Sequence, residues 1–156
     1  MISATIPLTI PFHDVDVLMV AWHGHYVKYC ELARTALTRK LEMDWPDLQK
    51  RNLVMPVIHF SCDYRSPLCY GAEYEIEASV EDPTLPKFSV TYRFREKGKQ
   101  ESLCMAHSDQ VYIKIDSKEL LFSLPVELQE HIAARLEQPA SQNGGTQPTG
   151  IFWRPE

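Results

Sequence analysis

The segment from Phe12 to Arg34, FHDVDVLMVAWHGHYVKYCELAR, concentrates residues able to do chemistry. Two carboxylates, Asp14 and Asp16, precede an apolar run, and two imidazoles, His23 and His25, flank Gly24. A carboxylate and an imidazole at this spacing suit attack on a carbonyl. The acid would serve as nucleophile or as general base toward water, and the histidine would orient water or the carbonyl. A helix should follow, because Tyr26, Tyr29, Cys30, Ala33 and Leu37 fall at i, i+3, i+4, i+7 and i+11 on one face. Lys28, Glu31, Thr35, Thr38 and Arg39 fall on the other. No Ser, Thr, Asp or Asn stands at the helix boundary, so Gly24 is the expected cap and the first-turn amides are expected to be free. Free N–H groups at the positive end of a helix are suited to hold an oxyanion. The segment thus has the parts of a hydrolytic centre.

Each of these residues also has a plainer use. Asp16 could cap a turn, and Asp14 is expected to be structural. His23 could be a packed histidine bonded to backbone, and the same holds for His25. The H-x-H pair with either aspartate lacks a third ligand at useful spacing, so neither a metal nor another cofactor is expected. Glu31 stands three residues before Arg34, the spacing of an ordinary helix ion pair. No Gly-rich phosphate loop, G-x-S-x-G elbow or Cys–His pairing signature occurs, which leaves serine-hydrolase and nucleotide-hydrolase chemistry without support.

Asp16, six residues, His23, then Tyr26 and the Glu31…Arg34 pair resemble the D-x6-[YH]-x2-Y…E-x2-R signature of hotdog-fold thioesterases. The 4-hydroxybenzoyl-CoA thioesterase type and its short-chain acyl-CoA relatives are the most similar group. Asp63-Tyr64-Arg65-Ser66-Pro67, followed by Tyr70-Gly71, resembles a second passage of that family. The likeness runs roughly from Ile6 to Ile115, and Met19 stands where the family usually has glycine. It implies an acyl-CoA or acyl-carrier-protein thioester hydrolase with Asp16 and His23 catalytic. Gly24, His25, Tyr26, Glu31, His59 and Phe60 would contact substrate, and Lys87 falls near where relatives carry basic residues toward coenzyme A phosphates. Two other activities fit the same resemblance. A hydroxyacyl-thioester dehydratase would use His23 with Glu31, and a non-catalytic acyl-binding module would follow if Met19 blocked attack.

The rest of the chain must position these groups. Its 156 residues suit one domain, and 44% hydrophobic with 24% charged residues is an ordinary globular balance. A net charge of −5 without a basic cluster argues against nucleic acid. The opening MISATIPLTIPF lacks a basic n-region and is broken by Pro7 and Pro11, and no run of about 18 apolar residues occurs. Cys30, Cys62, Cys69 and Cys104 form no C-x-x-C pair and are expected to be reduced thiols. A cytoplasmic location follows as an expectation.

Strands are expected over Ala4 to Phe12, at an edge or with a bulge because of its prolines, and over Val57 to Tyr64. Period-two alternation marks Tyr74, Ile76, Ala78 and Val80, then Phe88, Val90, Tyr92 and Phe94, the outward residues acidic in the first set and basic in the second. A further strand over Leu103 to Ile115 is expected to put Val111, Ile113 and Ile115 on one side. Asp44-Trp45-Pro46 is expected to turn before a short helical piece. About five antiparallel strands wrapped around one long helix make an α+β, hotdog arrangement that buries every apolar face at once. A short helix over Pro125 to Leu136 would close a domain of residues 1–137, leaving 138–156 as a flexible tail whose Ile151-Phe152-Trp153 could dock on a groove or a second subunit. The apolar stretch Val57 to Phe60 lacks edge-blunting lysines. It predicts a homodimer or homotetramer that continues the sheet and shares its active sites.

Overall fold

Helix α1 (His25–Lys40) buries Tyr26, Tyr29, Cys30, Ala33, Leu37 and Thr38, the stripe expected from the spacing with Thr38 added. The computed structural model describes residues 1–137 and wraps a sheet around that stripe. Five strands, β1 (Ile2–Thr9), β3 (Val57–Tyr64), β4 (Glu73–Val80), β5 (Lys87–Glu96) and β6 (Cys104–Val111), run antiparallel in the spatial order β1-β4-β5-β6-β3. Helix α1 lies against β1, β4 and β5, which gives the hotdog arrangement. A two-stranded sheet of β2 (Leu53–Val54) and β7 (Ile113–Lys114), with helices α2 (Trp45–Lys50) and α3 (Val126–Glu137), completes the described part. The tail beyond residue 137, with its expected docking segment, lies outside the described residues.

Alternation in β4 and β5 places the core as expected. Tyr74, Ile76, Ala78 and Val80 pack inward with Phe88, Val90, Tyr92 and Phe94. Outside, Glu75 is opposite Arg95 and Glu77 opposite Arg93, and Arg95 Nε donates to Glu75 Oε2 at 3.1 Å. Such pairs are worth under ~1 kcal/mol each, so they favour register more than they add stability.

Strand β6 corrects the expected inward face. The buried residues are Cys104, Ala106, Ser108 and Gln110, followed by Tyr112, whereas Val111, Ile113 and Ile115 are only partly covered. The cause is a buried polar chain. The Tyr92 hydroxyl and Ser108 Oγ share a hydrogen bond of 2.8 Å, and Gln110 Nε2 donates to Ser108 Oγ at 2.6 Å. A buried tyrosine hydroxyl requires a partner, and two polar residues in an otherwise apolar face supply one. After Val111 the chain leaves the main sheet and pairs as β7 with β2. The first strand also stops at Thr9, earlier than expected, because Pro11 leads into a 3-10 turn at Phe12–Asp14. Trp45 and Pro46 stand inside α2, not in a turn before it, and Asp44 caps that helix by accepting from Trp45 N at 2.8 Å.

The segment between β1 and α1 is fastened by Asp14. Its side chain is 1% exposed and accepts hydrogen bonds from the Tyr29 hydroxyl at 2.7 Å and from the Lys28 ammonium, both on α1. Its carbonyl accepts from Trp22 N at 2.9 Å. Between these anchors the chain makes a small hairpin, in which Val15 bridges Ala21 and Asp16 N donates to Val20 O at 2.9 Å. The reversal needs a left-handed residue, and Met19 adopts φ 60°. A position with this φ favours glycine, and here a methionine occupies it. The conformation costs a non-glycine residue about 1–2 kcal/mol.

Two outcomes follow for stability. Burial opposes ionisation of Asp14, but the bonds from Lys28 and Tyr29 outweigh it and hold the carboxyl below its ordinary value of 3.8. A depressed carboxyl stabilises the fold above its unfolded pKa, and that contribution is lost as pH falls through the folded value. Asp14→Ala should therefore cost about 3 kcal/mol in urea unfolding at neutral pH, and the gap to the unsubstituted chain should shrink below about pH 4. Met19→Gly should instead raise stability by about 0.5–1 kcal/mol, with Met19→Val lowering it, as read from thermal midpoints.

Candidate active site

Two stretches far apart in sequence form opposite walls of one cleft of about 320 Å³. Asp16, Val20, Ala21, His23 and Tyr26 line one wall, and Tyr64, Arg65, Ser66 and Pro67 line the other. Backbone bonds hold the walls in place: Ala21 N donates to Leu68 O at 2.8 Å, and Tyr70 N to Met19 O at 3.0 Å. Across the cleft, the Tyr64 hydroxyl donates to His23 O at 2.9 Å.

Asp16 sits at the first corner of the hairpin. Its Oδ1 accepts from Leu18 N at 2.8 Å, which fixes the carboxylate and leaves Oδ2 without a protein donor among the described residues. His23 is exposed and lies between aromatic rings, 4.8 Å from Trp22 and 6.5 Å from Tyr64 between centroids. Tyr26 packs edge-on against Tyr64 at 4.8 Å, and its hydroxyl accepts from Leu68 N at 3.3 Å. Burial pushes the Tyr26 hydroxyl up to about 12 and raises that of Tyr64 as well, so both rings are neutral walls at physiological pH.

The start of α1 supplies donors one step earlier than expected. Gly24 caps the helix without a side-chain acceptor, but His25 N already donates to Trp22 O at 2.9 Å and Tyr26 N to His23 O at 3.4 Å. A tight entry turn therefore consumes two of the first-turn amides. The amides of His23 and Gly24 are among those at this helix start that have no acceptor among the described residues. The Trp22 ring lies over Gly24, so a Cβ there would have to displace that ring.

Asp16, His23 and Tyr26 are thus brought together, with Gly24 at the adjoining cap. The other candidates lie elsewhere. His25 turns toward Asp14, 3.6 Å from its carboxylate, and stacks edge-on with Trp22. Glu31 is ion-paired with Arg34 and does not line the cleft, which separates it from His23 and removes the geometric support for a dehydratase pair within one chain. His59 and Phe60 sit on the edge strand β3, outside the cleft of their own chain. Lys87 reaches Asp109 on the outer face of the sheet, at 3.4 Å. The wall residues Tyr64 and Arg65 stood in the second motif without an assigned role. The inward parity of Phe60, Cys62 and Tyr64 along β3 was the available signal for Tyr64.

Among the described residues, no three His, Cys, Asp or Glu side chains cluster as a metal site would require, and no helix is long and apolar enough to cross a membrane. The model of the thioesterase-like superfamily matches residues 10–136. The chain is 27% identical over 75 residues to the Bacillus subtilis (strain 168) protein named "Putative acyl-CoA thioesterase YneP", covering 48% of this chain and 54% of that one. It is 24% identical over 85 residues to a "Putative esterase" of Aquifex aeolicus (strain VF5), covering 54% and 65%. The matched stretches thus span about half the length of these curated relatives.

Among solved structures, a 1,4-dihydroxy-2-naphthoyl-CoA thioesterase from Synechocystis superposes with a TM-score of 0.73 at 17% identity, covering 88% of this chain and 99% of that one. A DHNA-CoA thioesterase from Staphylococcus aureus gives 0.69 at 21% identity, covering 78% and 81%. At such identities these likenesses establish the shared fold. With the family model running from the end of β1 to the end of α3, the chain belongs to the thioesterase-like superfamily.

Proposed function

We propose that the protein hydrolyses acyl thioesters, releasing a carboxylic acid and a thiol. The observation that carries this reading is the free Oδ2 of Asp16 in the same cleft wall as His23, whose amide, like that of the adjoining Gly24, has no acceptor among the described residues. A thioester carbonyl would dock with its oxygen toward those amides. Asp16 would then add to the carbonyl carbon or take a proton from an attacking water. The amides would hold the negative charge that develops on oxygen, and the thiolate would depart. His23 would orient the water or the carbonyl from the mouth of the cleft.

The names of the relatives point to coenzyme A thioesters, and the walls suit an apolar or aromatic acyl group. Val20, Ala21, Tyr26, Tyr64 and Pro67 offer hydrocarbon and ring surface. Coenzyme A is the favoured carrier over an acyl-carrier protein, since such proteins are usually acidic and this chain carries −5. Met19 makes the reversal that presents Asp16 and does not line the cleft, which supports turnover over a binding-only module. Free cysteines among the described residues fit a reducing compartment such as the cytoplasm.

Asp16→Asn should lower kcat on an acyl-CoA panel by about a thousandfold or more, several kcal/mol of barrier, while leaving the fold intact. Thiol release measured alongside circular dichroism checks this. Undiminished turnover by the folded variant would sink the assignment.

The same reading includes a homodimer. The edge strand β3 presents Val57 at 43% and Ile58 at 59% exposure, and the outer face of α1 presents Val27 and Leu32. Pairing β3 with its symmetry mate would cover the edge and bring His59 and Phe60 toward the partner's cleft. Sedimentation at micromolar concentration should give twice the 18.0 kDa monomer mass or a multiple of it. An active monomer would contradict both the dimer and the shared site.

A further inference from the structure

Behind the Tyr64 wall, two thiols lie unusually close. Cys62 Sγ and Cys104 Sγ are 3.3 Å apart, and neither is in a disulfide. Cys62 stands opposite Ala106, and Cys104 opposite Tyr64, so the two are diagonal neighbours on the inward face of the β3–β6 ladder. Cys62 is partly accessible while Cys104 is buried. Cys30 on α1 is buried nearby, and Cys69 is exposed on the loop after β3.

We infer that Cys62 and Cys104 form a redox-active dithiol that closes to an intrachain disulfide on exposure to a peroxide. The sulfurs need to approach by about 1.3 Å to reach the bonded distance of about 2.05 Å, which takes rotation of both side chains and a small approach of the two strands. Accessibility sets the order of events. The Cys62 thiolate attacks one peroxide oxygen and breaks the O–O bond, giving a sulfenic acid and hydroxide, which takes up a proton to leave as water. The Cys104 sulfur then attacks the Cys62 sulfur, and hydroxide leaves with the Cys104 proton as a second water. Two thiols are oxidised to one disulfide while the peroxide is reduced to two waters. Burial raises the Cys104 thiol, so Cys104 does not compete with Cys62 for the peroxide.

The bond would lie within the cleft wall. Tyr64 is two residues from Cys62 and directly opposite Cys104, and it carries the hydroxyl that holds His23 O. The cross-link would also close a loop containing all of β4 and β5, which constrains the unfolded chain and raises the thermal midpoint by several degrees.

The full chain, freshly reduced, is treated with a few equivalents of hydrogen peroxide. It is then denatured, alkylated and mapped by mass spectrometry. The expected result is a fall from four alkylatable thiols to two, a peptide joining Cys62 to Cys104, full reversal by dithiothreitol, and a higher thermal midpoint in the oxidised form. A Cys104→Ser variant should instead accumulate a dimedone-trappable sulfenic acid at Cys62, and the wild-type peptide map stands independently if that variant fails to fold. Four thiols remaining, a bridge involving Cys30 or Cys69, or separate over-oxidation of Cys62 and Cys104 would each overturn the proposal. None of these readouts depends on thioester turnover.

Discussion

A buried carboxylate fastened to the helix it precedes governs the geometry of this protein. Asp14 ties the chain between β1 and α1 to Lys28 and Tyr29, so the hairpin that follows and the helix start form one unit. Without it, the hairpin presenting Asp16 would be held mainly by the backbone bonds of Ala21 to Leu68 and of Tyr70 to Met19. Ionic bonds to a buried group are costly to break from one side, which makes Asp14 a dependable anchor. The two aspartates, two positions apart, thus divide the work: Asp14 faces the helix and the interior, and Asp16 faces the cleft.

Local strain and crowding then set the positions of the reacting groups. Met19 takes the left-handed conformation that closes the hairpin, and the Trp22 ring covers Gly24. The tight entry into α1 turns the His25 and Tyr26 amides inward to carbonyls and leaves those of His23 and Gly24 free. On the far side Tyr64 reaches across to the His23 carbonyl, so the second wall is referenced to the same short segment. The cleft is therefore a property of three peptide stretches locked to one another, and the sheet serves as the frame that brings them together.

Much of this was legible in the sequence, for identifiable reasons. The stripe from Tyr26 to Leu37 and the alternations of β4 and β5 are long and regular, so their buried faces could be read directly. Strand β6 misled because its inward positions hold Ser108 and Gln110, which are there for the Tyr92 hydroxyl, a partner on another strand that periodicity cannot reveal. Asp16, His23 and Tyr26 could be grouped because they are close in sequence and surround a helix start. Tyr64 and Arg65 come to the same cleft from a distant strand end, and His25 and Glu31 find other partners. The free donors fall just before the helix and not in its first turn because the entry is wound more tightly than an ideal helix, a detail of backbone angles that residue types do not encode.

The central claim is that a thioester carbonyl sits between Asp16 and the amides at the start of α1. A crystal structure of the Asp16→Asn variant with an unhydrolysed acyl-CoA tests it most directly. The account predicts the thioester oxygen within about 3 Å of the His23 or Gly24 amide nitrogen, with the carbonyl carbon facing the substituted side chain. A thioester bound outside this cleft, or with its oxygen turned away from both amides, would contradict it.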